Sequence, residues 1–243
     1  MHLLTVATFA DISWQEILGG LGLFLFGIQF MGDGLKSLAG DKLKEFIDRY
    51  TTKIWMGLLI GMVVTIFIQS SSATTAITIS FVRAGLMRLD QTIGIILGAN
   101  IGTTVTAFLV GLKVEKYSLY FIFIGTFLLL FAKRKRDHYI GEIVLGFGVL
   151  FYGLMLMGDA LKVLKNIPEF QSLTYAFASQ PVLGVLGGSL MTAVIQSSSA
   201  MIGIVQKIYE SGGMTFEAAL PFVFGSNIGT TVTAALAAIG GSL

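Results

Sequence analysis

Two stretches of this sequence put amide and hydroxyl side chains where apolar ones are expected. QSSSA occupies positions 69–73 and returns at 196–200, 127 residues on, each time inside a long segment free of charged residues. Three consecutive serines present hydroxyls. If they open a helix, its first-turn N–H groups and the positive end of its dipole face the same way. That combination is a seat for an anion. Gln69, Ser70, Ser71, Ser72, Gln196, Ser197, Ser198 and Ser199 form the candidate site, and a tetrahedral oxyanion is the shape that two such turns could surround.

The site carries no formal charge, and an uncompensated anion in a low-dielectric interior is penalised by several kcal/mol or more. Compensation has to come from elsewhere. A second shared block supplies a candidate: GANIGTTVTA at 98–107 and GSNIGTTVTA at 225–234 agree at nine of ten positions. Asn100, Thr103, Thr104, Asn227, Thr230 and Thr231 offer neutral oxygens, and the glycines on either side of each Asn let a helix unwind and expose carbonyls. Such ligands suit a hard monovalent cation such as sodium better than a transition metal. Thr65 and Thr192, one turn before each glutamine, form a second rank of sodium ligands, though a threonine there could equally bond its own helix.

A third pair, MGDGLK at 31–36 and MGDALK at 157–162, completes a duplication of the whole unit, so the chemistry is expected to use both copies. The solvent follows from composition, with 54% hydrophobic and 12% charged residues: this is a membrane protein, all α-helical. No Asp, Glu, Lys or Arg occurs from Ile54 to Val82 or from Phe170 to Gln206. The run IWMGLLIGMVVTIFI, about 15 residues and roughly 22 Å as a helix, falls short of a ~30 Å hydrocarbon core. The reading is a re-entrant hairpin with QSSS at its buried tip.

The first repeat, residues 1–138, is then a spanning helix from Trp14 to Leu38 and an interfacial amphipathic link, AGDKLKEFIDRYTTK. The hairpin around 69–75 follows, then a helix over 91–111 broken at GANIGTT, and a third helix over 117–132 closed by KRKR. Three crossings deliver the second repeat, residues 139–243, upside down: a helix from Ile140 to Leu164, a hairpin around 196–200 and a broken helix over 216–239. Its third helix has no equivalent before Leu243, as expected of a truncated chain or of a member that dispenses with it. One face collects 11 basic residues and the other 5, which puts the N-terminus outside the cell in a multi-pass plasma-membrane protein. The first residues, MHLLTVATFADISW, show no cleavable signal pattern.

Other features have plainer readings. Gly98 with Gly102 and Gly225 with Gly229 have the spacing of helix-packing motifs. Asp33 and Asp159 each precede a lysine by three residues and read as interfacial pairs. Asp90 and Glu217 suit the first turns of their helices. Enzyme chemistry lacks its parts: there is no cysteine, and His2 and His138 fall outside the expected spans.

At the doubled QSSS and the doubled NIGTT the chain resembles the type II sodium-dependent phosphate cotransporter family, including its bacterial members, over roughly Leu18 to Ile239. The resemblance implies inorganic phosphate as substrate, sodium as co-transported ion, and binding at Gln69–Ser72 and Gln196–Ser199 with the Asn100 and Asn227 blocks nearby. After QSSS the copies differ, ATT against AM, so Thr74 and Thr75 have no hydroxyl counterparts at Met201 and Ile202. Bacterial relatives continue into further spans and a cytoplasmic helical domain resembling a phosphate-signalling regulator, which makes such a regulator, or a second copy of the chain, the expected protein partner. The expected activity is sodium-coupled symport of phosphate by alternating access. A phosphate-sensing membrane subunit and a symporter for another small oxyanion are the rivals.

Overall fold

The computed structural model describes residues 7–40 and 54–239. The expected interfacial link, residues 39–53, lies almost wholly outside the described residues. The first long helix, α1, is Trp14–Ala39. It is followed by α2 Ile54–Ile68, α3 Ser71–Arg83, α4 Leu89–Val110 and α5 Ser118–Phe131. The second half opens with α6 Lys135–Leu161, extended by a 3-10 turn to Asn166. Then come α7 Pro168–Ser179, α8 Pro181–Ile195, α9 Ser198–Glu210 and α10 Phe216–Ile239. Among the described residues three helices are long and apolar enough to cross a membrane: Trp14–Ala39, Leu89–Val110 and Lys135–Asn166.

The core forms where α1 lies antiparallel against α6. Phe24, Leu150, Phe151, Leu154 and Met157 are completely buried there. Glycines permit this approach, and the contacts are reciprocal. A Cβ at Gly20 would stand 2.7 Å from the Gly153 carbonyl oxygen and 2.8 Å from the Met157 nitrogen. One at Gly146 would stand 2.8 Å from the Gly27 oxygen and 2.5 Å from the Met31 nitrogen. Gly20, Gly27 and Met31 are the positions that match Gly146, Gly153 and Met157 in the duplication, so each half presents the same surface to the other.

The duplication is equally visible inside each half. α2 packs on α4 as α8 packs on α10. A Cβ at Gly102 would meet the Met62 carbonyl oxygen at 2.7 Å, and one at the matching Gly229 would meet the Ser189 oxygen at 2.5 Å. At Gly98 and Gly225 the obstructing atoms are the Leu58 and Val185 carbonyl oxygens.

These contacts correct one expectation. The helices over 91–111 and 216–239 are not broken at NIGTT: α4 and α10 run through it without interruption. The glycines serve close packing against the neighbouring helix, and a backbone in an apolar setting keeps its own hydrogen-bond ladder. The threonine hydroxyls bond back into that ladder, Thr103 to Ala99 (3.1 Å), Thr104 to Ile101 (2.6 Å), Thr230 to Asn227 (2.7 Å) and Thr231 to Ile228 (2.7 Å).

A second difference lies in the window from Phe170 to Gln206. It contains an extra helix, α7, which meets α8 at a 110° bend. Pro168 and Pro181 each occupy the first turn of a helix, where the missing N–H does no harm, and Pro181 prevents α7 from continuing.

Candidate oxyanion site at two helix-opening turns

Each QSSS segment joins a pair of helices by a two-residue break. Gln69 and Gln196 adopt the left-handed backbone conformation, with φ of 57° and 60°. A non-glycine residue rarely does so, and the αL residue here ends α2 and α8. Each glutamine amide helps to close its turn: Gln69 Nε2 donates to the Ile66 carbonyl at 2.6 Å, and Gln196 Nε2 donates to that of Ala193.

The next residue caps the following helix. Ser70 Oγ accepts from the Ala73 N–H at 3.1 Å, and Ser197 Oγ accepts from the Ala200 N–H at 3.2 Å. The serines after each cap supply the first turns of α3 and α9. Their backbone N–H groups have no helical carbonyl to bond, and they sit at the positive end of the helix dipole.

The two turns meet. Gln69, Ser70, Ser71, Ser72, Gln196, Ser197, Ser198 and Ser199 all line one cavity of about 30 Å³, together with Thr103 and Thr230. At roughly 10–15 Å³ for each water-sized body, that is room for a small ion and leaves none for an organic substrate. Among the described residues the lining holds no Asp, Glu, Lys, Arg or His, and its polarity comes from hydroxyls, amides and converging helix ends. Ser198 and Ser199 are the more enclosed, at 5% and 7% exposure.

The expected cation ligands divide into four groups. Thr103 and Thr230 join the serines in the small cavity. Asn100, Thr104 and Asn227 line an adjoining cavity of about 350 Å³ between α4, α9 and α10, with Thr103 shared between the two. Thr231 is exposed and bonded to its own helix. Thr65 and Thr192 are buried behind the tips, at 1% and 0% exposure. Thr65 donates to Thr74 Oγ1 at 2.9 Å, whereas the Thr192 hydroxyl has no partner among the described residues. Among the described residues no group of three or more His, Cys, Asp or Glu side chains is placed to hold a metal. Any cation here would be held by neutral oxygens.

The expected pairs of the charged residues form. Lys36 Nζ pairs with Asp33 at 3.1 Å and Lys162 Nζ with Asp159 at 2.6 Å, all four exposed. Asp90 pairs with Arg88 ahead of it.

Two features escape a reading of the sequence. Thr106 donates to Gln69 Oε1 at 2.8 Å and so ties the first turn to α4. Its position inside the duplicated TTVTA block was the available signal. Lys207, in α9, is 5% exposed and bonds Glu115 and Glu210. Nothing local foretells its pairing with Glu115, 92 residues away.

Among the described residues the scaffold is helical and apolar and brings two donor-lined turns to one small cavity, the build of a membrane protein. The chain belongs to the Na+/Pi-cotransporter family, whose sequence profile matches residues 23–159 and again residues 155–242. It is 33% identical over 218 residues to the uncharacterized protein YqeW of Bacillus subtilis, a match covering 90% of this chain and 71% of that one. It is 27% identical over 221 residues to YjbB of Escherichia coli K12, which is provisionally named as an inorganic phosphate export protein; 91% of this chain and 41% of that one are covered. Sodium-dependent phosphate transport protein 2A of Rattus norvegicus is 36% identical over 100 residues, 40% of this chain and 15% of its own. The chain thus spans less than half the length of the relatives named for phosphate transport or export. No solved structure matches it significantly.

Proposed function

We propose that this chain is the membrane core of a sodium-coupled inorganic phosphate transporter, with phosphate held between the two QSSS turns. The observation that carries this reading is the convergence of all eight predicted side chains on one small uncharged cavity. Two helix N-termini and the hydroxyls of Ser71, Ser72, Ser198 and Ser199 donate to an oxyanion there. Sodium, bound at the same time by Thr103, Thr230 and the Asn100 and Asn227 side chains of the adjoining cavity, offsets the anion's charge and couples the two cargoes.

The architecture in this reading is a pair of inverted repeats, residues 1–138 and 139–243. The reciprocal contacts of the antiparallel α1 and α6 support it, since matching glycines of the two halves meet each other's backbone in the same way. α2 and α8, at 15 residues, are about 22 Å long and too short to span, which supports re-entrant hairpins whose tips reach the midplane. Alternating access then moves the hairpins against the α1–α6 scaffold, in a plasma membrane with the N-terminus outside. A cytoplasmic phosphate regulator or a second copy of the chain belongs to the same proposal as its protein partner.

Two of the relatives are named for phosphate and differ on direction, export for YjbB and sodium-dependent transport for protein 2A. Direction in a symporter follows the gradients. The test is radiolabelled phosphate movement into liposomes containing the purified chain, driven by an inward sodium gradient with potassium as control. Sodium-dependent accumulation is expected, and phosphate binding without accumulation would replace the transporter reading with that of a phosphate sensor.

A further inference from the structure

Three cavities follow one another from the QSSS turns to the C-terminal end of α9. The small one shares Thr103 with the 350 Å³ cavity, and that one shares Tyr209 with a third of about 620 Å³. The middle cavity is lined by residues 100–107 of α4, 202–209 of α9 and 216–227 of α10. On these three helices the lining residues run from the level of the turns toward Glu210 at the C-terminal end of α9, and we take the row of cavities as a passage that opens at that end.

Lys207 stands at its mouth. Its side chain is buried, its stem lies over Gly158 of α6, and its ammonium group bonds Glu210 at 2.8 Å and also Glu115. Glu115 opens the 3-10 turn Glu115–Tyr117 between α4 and α5. The lysine therefore ties α9, the second arm of one helix pair, to an element of the other half of the molecule. The two halves differ in residue type at these positions: Ser80 and Arg83 match Lys207 and Glu210, and Ser80 bonds its own helix at Ala76.

Glu210 travels with Lys207 on α9, so parting Lys207 from Glu115 leaves the lysine one partner but removes the bond between the two halves and takes from Glu115 its charge partner. An interaction made in one conformation and broken in another stabilises the first by that difference. We infer that the Lys207–Glu115 pair is an inter-repeat latch that holds α9 in the conformation whose passage reaches the QSSS turns from this end. It regulates access to the site of the proposed function and rests on that reading only in taking α9 as an element that moves.

The chain contains no cysteine, so a single introduced one is a clean reporter. Ala107→Cys places a thiol in the wall of the middle cavity. In liposomes, with a membrane-impermeant maleimide applied from each side in turn, this thiol is expected to react from one side only. Adding Glu115→Gln, which keeps the shape and removes the charge, should slow that reaction about tenfold as the latched population falls. Glu115→Asp should restore most of the rate. An unchanged or faster rate in the Glu115→Gln variant, with the protein still monodisperse, overturns the latch. Equal labelling from both sides, or none, overturns the one-way passage. No phosphate or sodium enters this readout, so its failure is separable from a failure of sodium-driven uptake.

Discussion

The hydroxyl of Thr65 donates to that of Thr74 at 2.9 Å across the two arms of the first helix pair, fully buried. The matching positions in the second pair are Thr192 and Met201, also buried, and there the threonine has no partner among the described residues. One backbone arrangement is thus pinned by a hydrogen bond in one copy and by methionine packing in the other. The copies share the turn and differ in what stands behind it.

Thr65→Val should lower stability by about 0.5–1.5 kcal/mol, the usual net value of one hydrogen bond. Thr192→Val should be neutral or stabilising, since it removes a buried unpaired hydroxyl. Thermal unfolding in detergent measures both. If Thr192→Val instead raises the sodium concentration needed for phosphate binding, Thr192 is a cation ligand, as its position before the glutamine suggests.

Ser70→Ala and Ser197→Ala each remove an N-cap. Both should lose about 1 kcal/mol, within the range of roughly 0.5–2 kcal/mol found for such caps. Asn at either position should recover most of the loss, which unfolding midpoints of the paired variants would show.

Ser71→Leu or Ser198→Leu puts a bulky apolar side chain into a cavity of about 30 Å³. Phosphate uptake should be abolished while membrane insertion persists, read by liposome flux and by yield in the membrane fraction. Wild-type flux in both variants would remove the QSSS turns from the site.

Gly98→Ala and Gly225→Ala drive a methyl group into the Leu58 and Val185 carbonyls. Overpacking of this kind typically costs about 1–3 kcal/mol, and both variants should unfold earlier on heating. Gly19→Ala, in α1 with nothing within 4 Å of the added carbon, should be neutral or stabilising by up to ~1 kcal/mol. Similar effects at all three sites would mean that the glycines do not govern helix approach.

Much of this was legible in the residues. The duplication, the turn-and-cap character of QSSS and the bounds of α1, α5 and α10 follow from local patterns: serines that cap, runs of apolar residues, and charges that close them. The cap and first-turn places of the serines were legible for the same reason, because an N-cap and its first turn are set by adjacent positions. What misled was glycine beside asparagine in NIGTT, which reads equally as a helix that unwinds and as one that packs closely. Only the neighbouring helix decides, and α2 and α8 lie near enough to require the glycines for packing.

The sequence by itself determined that two equivalent uncharged turns exist and what they can donate, since both properties reside in short stretches of chain. The tertiary structure alone decided that the turns face each other across one ion-sized cavity. It also decided that Thr106 reaches Gln69, that Lys207 finds Glu115, and that α7 bends away from α8. These depend on distances between segments far apart in the chain. Close packing of whole helices sets those distances, and no local pattern encodes them.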